Sequence, residues 1–198
     1  MHKFVLCHRM VDRLARRRHP SRTRRRHAGF TMPELVTTMA IGAILTAVGV
    51  PTYRYVTNSS RVSSEINGLL GDLQYARAEA IKEGQTVTVC ASADGATCSG
   101  VTTWQTGWIV FSDSNGNQAV DVGEPIRRVQ PAFKGTDTLS GTPLAAVTFN
   151  RNGFAVGLAG NSTFTLHDAS NTAVWSRCVL VTQVGRMLTQ LSGVGACL

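Results

Sequence analysis

Apolar and polar positions fall into three successive patterns along the chain. Residues 35–50 contain no charged side chain, and extension back to Phe30 gives twenty-one residues with a single charge, Glu34. An α-helix of that length rises roughly 30 Å, the thickness of a bilayer's hydrocarbon core. Further on the pattern narrows to one stripe. Val62, Ile66, Leu69, Leu73, Ala76 and Ala80 recur at spacings of three and four, with Ser64, Glu65, Asp72, Glu79 and Lys82 between them. That spacing predicts an amphipathic helix with one buried face. Gly84 follows Lys82 and Glu83 and reads as the helix C-cap. One helix over residues 31–83 follows, about 80 Å long at 1.5 Å per residue.

From Gln85 the pattern is that of β-structure. Residues 86–91 alternate, and residues 104–111 are aromatic and β-branched. Residues 145–149, 154–157, 162–167, 173–182 and 187–191 read as further strands. Asp94-Gly95, Asn115-Gly116, Asn152-Gly153 and Gly160-Asn161 mark turns between them. Residues 134–143 read as a loop. No helix alternates with the strands, so a βαβ arrangement is excluded in favour of α+β: a long N-terminal helix packed on one or two antiparallel sheets. Trp104, Trp108 and Phe111 then belong to a core rather than to a stacking platform for bases.

Charge changes the picture. The chain carries 20 Lys and Arg against 12 Asp and Glu, a formal +8. Residues 1–29 hold nine Arg, one Lys and one acid (Asp12), net +9, whereas residues 30–198 hold ten bases and eleven acids, net −1. A basic arm before an apolar stretch places the arm on the cytoplasmic side and the rest across the membrane. With the arm set aside, bulk charge gives no drive toward nucleic acid. His167 is the one histidine beyond residue 29, which speaks against a histidine-rich metal site.

The junction reads Arg25-Arg26-His27-Ala28-Gly29-Phe30-Thr31-Met32-Pro33-Glu34-Leu35. It resembles the cleavage and methylation motif of type IV prepilins and type II secretion pseudopilins. The resemblance implies cleavage after Gly29 by prepilin peptidase, N-methylation of Phe30, and pairing of Glu34 with the N-terminus of a neighbouring pilin in a filament. A charge in lipid is tolerable when paired. It also implies a helix kink at Pro51, twenty-two residues into the mature chain, where a ring without N–H opens the helix ladder. Four segments are expected: a leader over 1–29, a transmembrane and filament-core half-helix over 30–56, an amphipathic half over 57–84, and a β-rich domain over 85–198. The chain is then a single-pass protein of the bacterial inner membrane, N-terminus cytoplasmic and C-terminal domain periplasmic. Met10 offers a second start that shortens the leader and leaves the motif intact. The rival is signal-peptidase cleavage after Gly49, at Ala47-Val48-Gly49, which would release a secreted protein; the Gly-Phe-x-x-x-Glu match and the long basic leader oppose it.

Cys7 lies in the leader, so Cys90, Cys98, Cys178 and Cys197 remain, an even count outside the cytoplasm. Four cysteines allow three pairings. The turn at Asp94-Gly95 favours Cys90 with Cys98, which leaves Cys178 with Cys197. No Cys-x-x-Cys pair supports zinc.

Beyond the N-terminus the sequence resembles the GspH/FimT minor pilins and pseudopilins. The match lies in residues 73–80, in Trp104 and Gly107-Trp108-Ile109-Val110-Phe111, in Asp113-Ser114-Asn115-Gly116-Asn117, in Gly123-Glu124 and Arg127-Arg128, and in Phe149, Gly153 and Gly185-Arg186. The resemblance implies a structural subunit of a type II secretion pseudopilus or a type IV pilus. Some members bind DNA for natural transformation through a Gly-Arg-x-Arg motif. Here the matching residues are Gly185-Arg186-Met187-Leu188, without the second Arg. DNA contact would fall to Arg186 and Arg177, with Arg127, Arg128 and Arg151 as further members of a cluster, and DNA is the less favoured partner.

Asp113, Asn115, Asn117, Asp121 and Glu124 stand at positions 1, 3, 5, 9 and 12 of a calcium-loop pattern. Gln118 occupies the sixth position, where that pattern has glycine, and an Asx-rich hairpin loop is the alternative. Calcium is thus the one cofactor the sequence raises. No Gly-x-Ser-x-Gly elbow and no phosphate-binding glycine loop occurs, so a non-enzymatic role is expected.

Overall fold

The computed structural model describes residues 29–171, 173–195 and 197. The leader up to Ala28 lies outside the described residues. Helix α1 runs Met32–Glu83. Thr31 caps its start, its carbonyl accepting from Leu35 N–H at 3.1 Å. Pro33 fits the first turn, where its missing N–H leaves nothing unpaired. Pro51 lies inside the helix. Gly84 ends it at φ +70°, donating to the Ala80 carbonyl at 3.1 Å. The stripe from Val62 to Ala80 forms its buried face.

The chain divides into two compact units, the second being Val48–Leu198. In that unit two antiparallel sheets follow the helix. The first contains β1 (Val87–Ala91), β2 (Gly107–Ser112), β3 (Ile126–Pro131), β5 (Ala146–Phe149) and β6 (Ala155–Val156), in the order β3-β2-β1-β5-β6. The second contains β4 (Thr138–Thr142), β7 (Ser162–His167), β8 (Arg177–Val181) and β9 (Met187–Leu191), in the order β4-β7-β8-β9. The sequence pattern left one or two sheets open; two are formed.

β1 and β2 are buried on both faces. Val87, Val89, Trp108 and Val110 meet the α1 stripe, together with Phe164 and Val179 of the second sheet, in one shared core. Cys90, Ile109, Phe111 and Ala146 point the other way into a smaller cluster covered by Cys98 and Val120. Trp104, Trp108 and Phe111 are all enclosed, as core residues.

Three readings need correction. Residues 134–143 are not all loop, because β4 lies inside them and pairs with β7 from Thr138↔His167 to Thr142↔Thr163. Its Gly141 leaves no room for a Cβ, which would stand 2.8 Å from the Trp104 indole nitrogen and 2.9 Å from the Phe164 ring. A glycine that reads as loop in sequence is here a strand position crossed by a tryptophan. The segment 104–111 is not one strand. Trp104 N–H donates to Leu139 of β4 at 2.7 Å, and the chain turns before entering β2 at Gly107. Residues 173–182 divide into a 3-10 turn, Ala173–Trp175, and β8.

Candidate functional site

The N-terminal segment is built as a helix start. Thr31-Met32-Pro33-Glu34 has the form of a capping box, and Thr31 N–H lies 3.4 Å from Glu34 Oε2. Gly29, Phe30 and Glu34 lie together there, with Phe30 77% exposed. The polar side chains of the apolar stretch are satisfied within the helix: Thr37 donates to the Glu34 carbonyl at 3.0 Å, Thr38 to Leu35 at 2.9 Å, and Thr46 to Gly42 at 2.9 Å. Such back-bonding removes the desolvation penalty of a hydroxyl in an apolar medium. α1 is long and apolar enough to cross a membrane, with none of its apolar window buried.

In the second unit the helix is tied to β3 by charge. The register between β2 and β3 shifts at Val110/Phe111, so Ile126 and Arg128 pair with successive residues and Arg127 is the extra one. A bulge re-aims side chains, and here both arginines reach α1. Arg128 Nη1 donates to Asp72 Oδ1 at 2.9 Å and its guanidinium sits 3.7 Å over the Tyr75 ring. Trp108 Nε1 donates to the other Asp72 oxygen at 2.9 Å. Arg127 pairs with Glu83. The Gln85 amide foremost, with Ser112 and Arg127, holds the Glu83 carboxyl below its ordinary range.

A second junction joins α1 to two hairpin turns. Arg77 Nε donates to the Gly153 carbonyl at 2.9 Å. Gly185, at φ +73°, packs so closely that a Cβ would stand 2.1 Å from that same oxygen. The resemblance rests on residues 73–80, Gly153 and Gly185 as separate matches; the structure joins Arg77 of the first to both glycines in one contact.

The third feature escaped the sequence pattern. Arg61 and Glu65 lie one turn apart on α1, and Arg61 Nη2 meets Asp137 Oδ1 at 2.9 Å, the Asp137 side chain being wholly enclosed. Burial first, then the adjacent Asp137 carboxylate, push the Glu65 carboxyl up to about 7. The only available signal was the i,i+4 spacing of Arg61 and Glu65, because Asp137 comes from a distant segment.

The cysteines are bonded Cys90 to Cys98 and Cys178 to Cys197. Within the first loop the N–H groups of Ala96 and Thr97 hold the Asp94 carboxyl well below its usual range. His167 Nδ1 shares a 2.8 Å hydrogen bond with Ser176 Oγ.

The residues of the calcium-loop pattern bond to their own loop. Asp113 accepts from Thr88 Oγ1 at 2.6 Å and from the N–H groups of Asn117 and Gln118 at 3.1 and 3.0 Å. Asp121 accepts from the Asn115 and Asn117 amides at 2.9 and 2.8 Å. Glu124 accepts from Ser114 N–H at 2.8 Å and Asp121 N–H at 3.1 Å. These side chains staple the loop to itself, and no group of three or more metal-ligating residues occurs among the described residues.

The structure does not bring the two expected DNA contacts together. Arg177 opens β8 opposite Leu191, while Arg186 lies in the turn beyond the Val181↔Met187 pair at the other end of the hairpin. Arg177 donates to the Val174 and Ser176 carbonyls at 3.1 and 2.9 Å. Arg127 and Arg128 are engaged with α1.

A capped apolar helix at a Gly-Phe-x-x-x-Glu junction, continuing into a stripe that packs on antiparallel sheets, defines a pilin-class subunit. The profile of the prokaryotic N-terminal methylation motif matches residues 24–50. The profile described as "Type II transport protein GspH" matches residues 65–185. The chain belongs to the GspH family, which comprises structural pilins and pseudopilins rather than enzymes. Comparison with curated proteins finds no match. Among solved structures the chain is similar to the type IV minor pilin FimU of Pseudomonas aeruginosa in two crystal forms. One is 23% identical with TM-score 0.48, covering 65% of this chain and 90% of that one. The other is 20% identical with TM-score 0.49, covering 70% and 92%.

Proposed function

We propose that this chain is a membrane-anchored minor subunit of a pilin-class filament. Prepilin peptidase cuts between Gly29 and Phe30, Phe30 is N-methylated, and Glu34 pairs with the N-terminus of a neighbouring subunit. Before assembly, residues 30–50 cross the inner membrane with the folded domain in the periplasm. The observation that carries this reading is exposure on every side of the helix. Leu35, Val36, Ile44 and Leu45 project at roughly right angles to one another around α1 at 100° per residue and are 47%, 62%, 66% and 67% exposed. Such a surface needs lipid or other apolar helices around it. Of the two filaments, a type II secretion pseudopilus or a type IV pilus, the family's description favours the first.

Mass spectrometry of the protein extracted from membranes tests the reading. The expected N-terminus is methylated Phe30. An N-terminus at Val50 would overturn the proposal, because it would leave a secreted domain without its anchor.

A further inference from the structure

The apolar stretch of α1 ends at Val50, and the next residues are Pro51, Thr52, Tyr53, Arg54 and Tyr55. Tyr53 and Tyr55 are 73% and 58% exposed. The Tyr55 ring meets Trp175, centroid to centroid at 4.6 Å. Trp175 ends the 3-10 turn before β8, beside Val174, which is 62% exposed. Arg177 is held at the same turn by its bond to the Val174 carbonyl. Two segments distant in sequence thus meet at Tyr55 and the half-buried Trp175, beside Val174 and Arg177, while Tyr53 projects from the far side of the helix at nearly the same height and Arg54 lies between them.

The two segments themselves bring charge of one sign. No Asp or Glu occurs between Glu34 and Glu65, and none occurs after Asp168, while both stretches carry arginine. The patch also stands at a defined height. At 1.5 Å per residue, Tyr53 lies about 4.5 Å and Tyr55 about 7.5 Å past Val50 along the helix. The polar layer on each side of a bilayer's hydrocarbon core is roughly 5–8 Å thick. Tyrosine and tryptophan concentrate in that layer, with the ring toward the acyl chains and the polar tip toward water. Arginine beside them meets lipid phosphate.

We propose that Tyr53, Arg54, Tyr55, Val174, Trp175 and Arg177 form a lipid-facing surface that seats the folded domain on an anionic bilayer before assembly. The aromatic rings and Val174 enter the boundary between headgroups and acyl chains, and Arg54 and Arg177 contact phosphate. Anchoring of residues 30–50 is presupposed. The new element is that the domain itself contributes to the membrane contact through Trp175, about 120 residues from the anchor in sequence. On this reading Arg177 belongs to lipid rather than to DNA.

The full chain is reconstituted into vesicles of phosphatidylcholine and phosphatidylglycerol whose acyl chains carry bromine near the ester end or near the methyl end. Trp104 and Trp108 are 0% and 1% exposed, so they provide an internal signal shielded from lipid. The expected result is loss of tryptophan emission with the shallow bromine, a smaller loss with the deep one, and disappearance of the effect in Trp175→Phe. Trp175→Phe keeps an aromatic ring against Tyr55, and unchanged near-ultraviolet dichroism of the remaining tryptophans verifies its fold. Arg54→Gln with Arg177→Gln reduces the quenching in phosphatidylglycerol vesicles toward its value in phosphatidylcholine alone. A chain that floats with vesicles but shows no Trp175-dependent quenching overturns the proposal and leaves the anchor standing, as does a Trp175 signal protected only by a second subunit. A chain that fails to float overturns both.

Discussion

Ile44 and Leu73 lie on the same helix, yet Ile44 is 66% exposed and Leu73 fully enclosed. Around Ile44 the apolar residues point in all directions, and the threonines among them turn their hydroxyls back to the helix's own carbonyls. Around Leu73 the apolar residues keep to one stripe, and the remaining faces carry Asp72, Glu79 and Lys82. The sheets of the same chain cover that stripe. One helix therefore carries two kinds of apolar demand: one satisfied by the chain's own fold, the other only by its surroundings. The pattern of polar residues distinguishes them, since a helix covered by its own sheet can afford charges opposite the stripe and one immersed in lipid cannot.

The largest effect should come from truncating each side of this comparison. Leu73→Ala leaves a cavity where helix and sheets meet and should destabilise the domain by about 2–5 kcal/mol. Ile44→Ala should change the same unfolding free energy by no more than about 0.5 kcal/mol. Denaturant unfolding of the full chain in detergent, followed by tryptophan emission, measures both. Equal losses would erase the distinction between the two stretches.

Glycines sharpen the contrast at a smaller scale. In Gly185→Ala the new methyl would lie 2.1 Å from the Gly153 carbonyl on a backbone at φ +73°. The loss should be about 1–3 kcal/mol, from strain and from opening the Arg77 contact. Gly42→Ala meets nothing within 4 Å, and alanine favours helix over glycine, so domain stability should be unchanged. Thermal unfolding of the two variants side by side checks this pair.

Regular patterns were legible in sequence and tertiary accidents were not. All six residues of the stripe are buried, and strands Ser162–His167 and Met187–Leu191 fall where alternation placed them. β3 went unread because five of its six residues are exposed, so no alternation marks it; hydrogen bonds to β2 and two arginines hold it. β4 went unread because its glycine answers to Trp104 and Phe164 rather than to a turn. The junction at Gly29, Phe30 and Glu34 is legible because the residues are contiguous. The Arg61, Glu65 and Asp137 cluster is illegible because its buried carboxylate arrives from about 70 residues away. The calcium pattern is ambiguous in sequence for a different reason: side chains able to ligate a cation are equally able to cap the amides of their own loop.

The smallest effect is a titration, and it compares a glutamate from each stretch. Arg61 and Glu65 come from α1, Asp137 precedes β4, and Lys134 borders the same groove. Burial and Asp137 raise Glu65 from 4.5 to about 7 in the folded state, whereas the unfolded chain keeps the ordinary value. Below pH about 4.5 both states are protonated and the raised value has no consequence. Between there and about 7 the folded state binds the extra proton, so stability must fall as pH rises, with the full loss reached above about 7. Glu65→Gln keeps the neutral shape and removes the titration. Its melting temperature should therefore exceed that of the parent increasingly from pH 5 to pH 8 and approach it at pH 4.5. Glu34→Gln, on the stretch that depends on its surroundings, should leave the melting profile of the domain unchanged. A parent profile parallel to that of Glu65→Gln across this range would show that the pair is open to water.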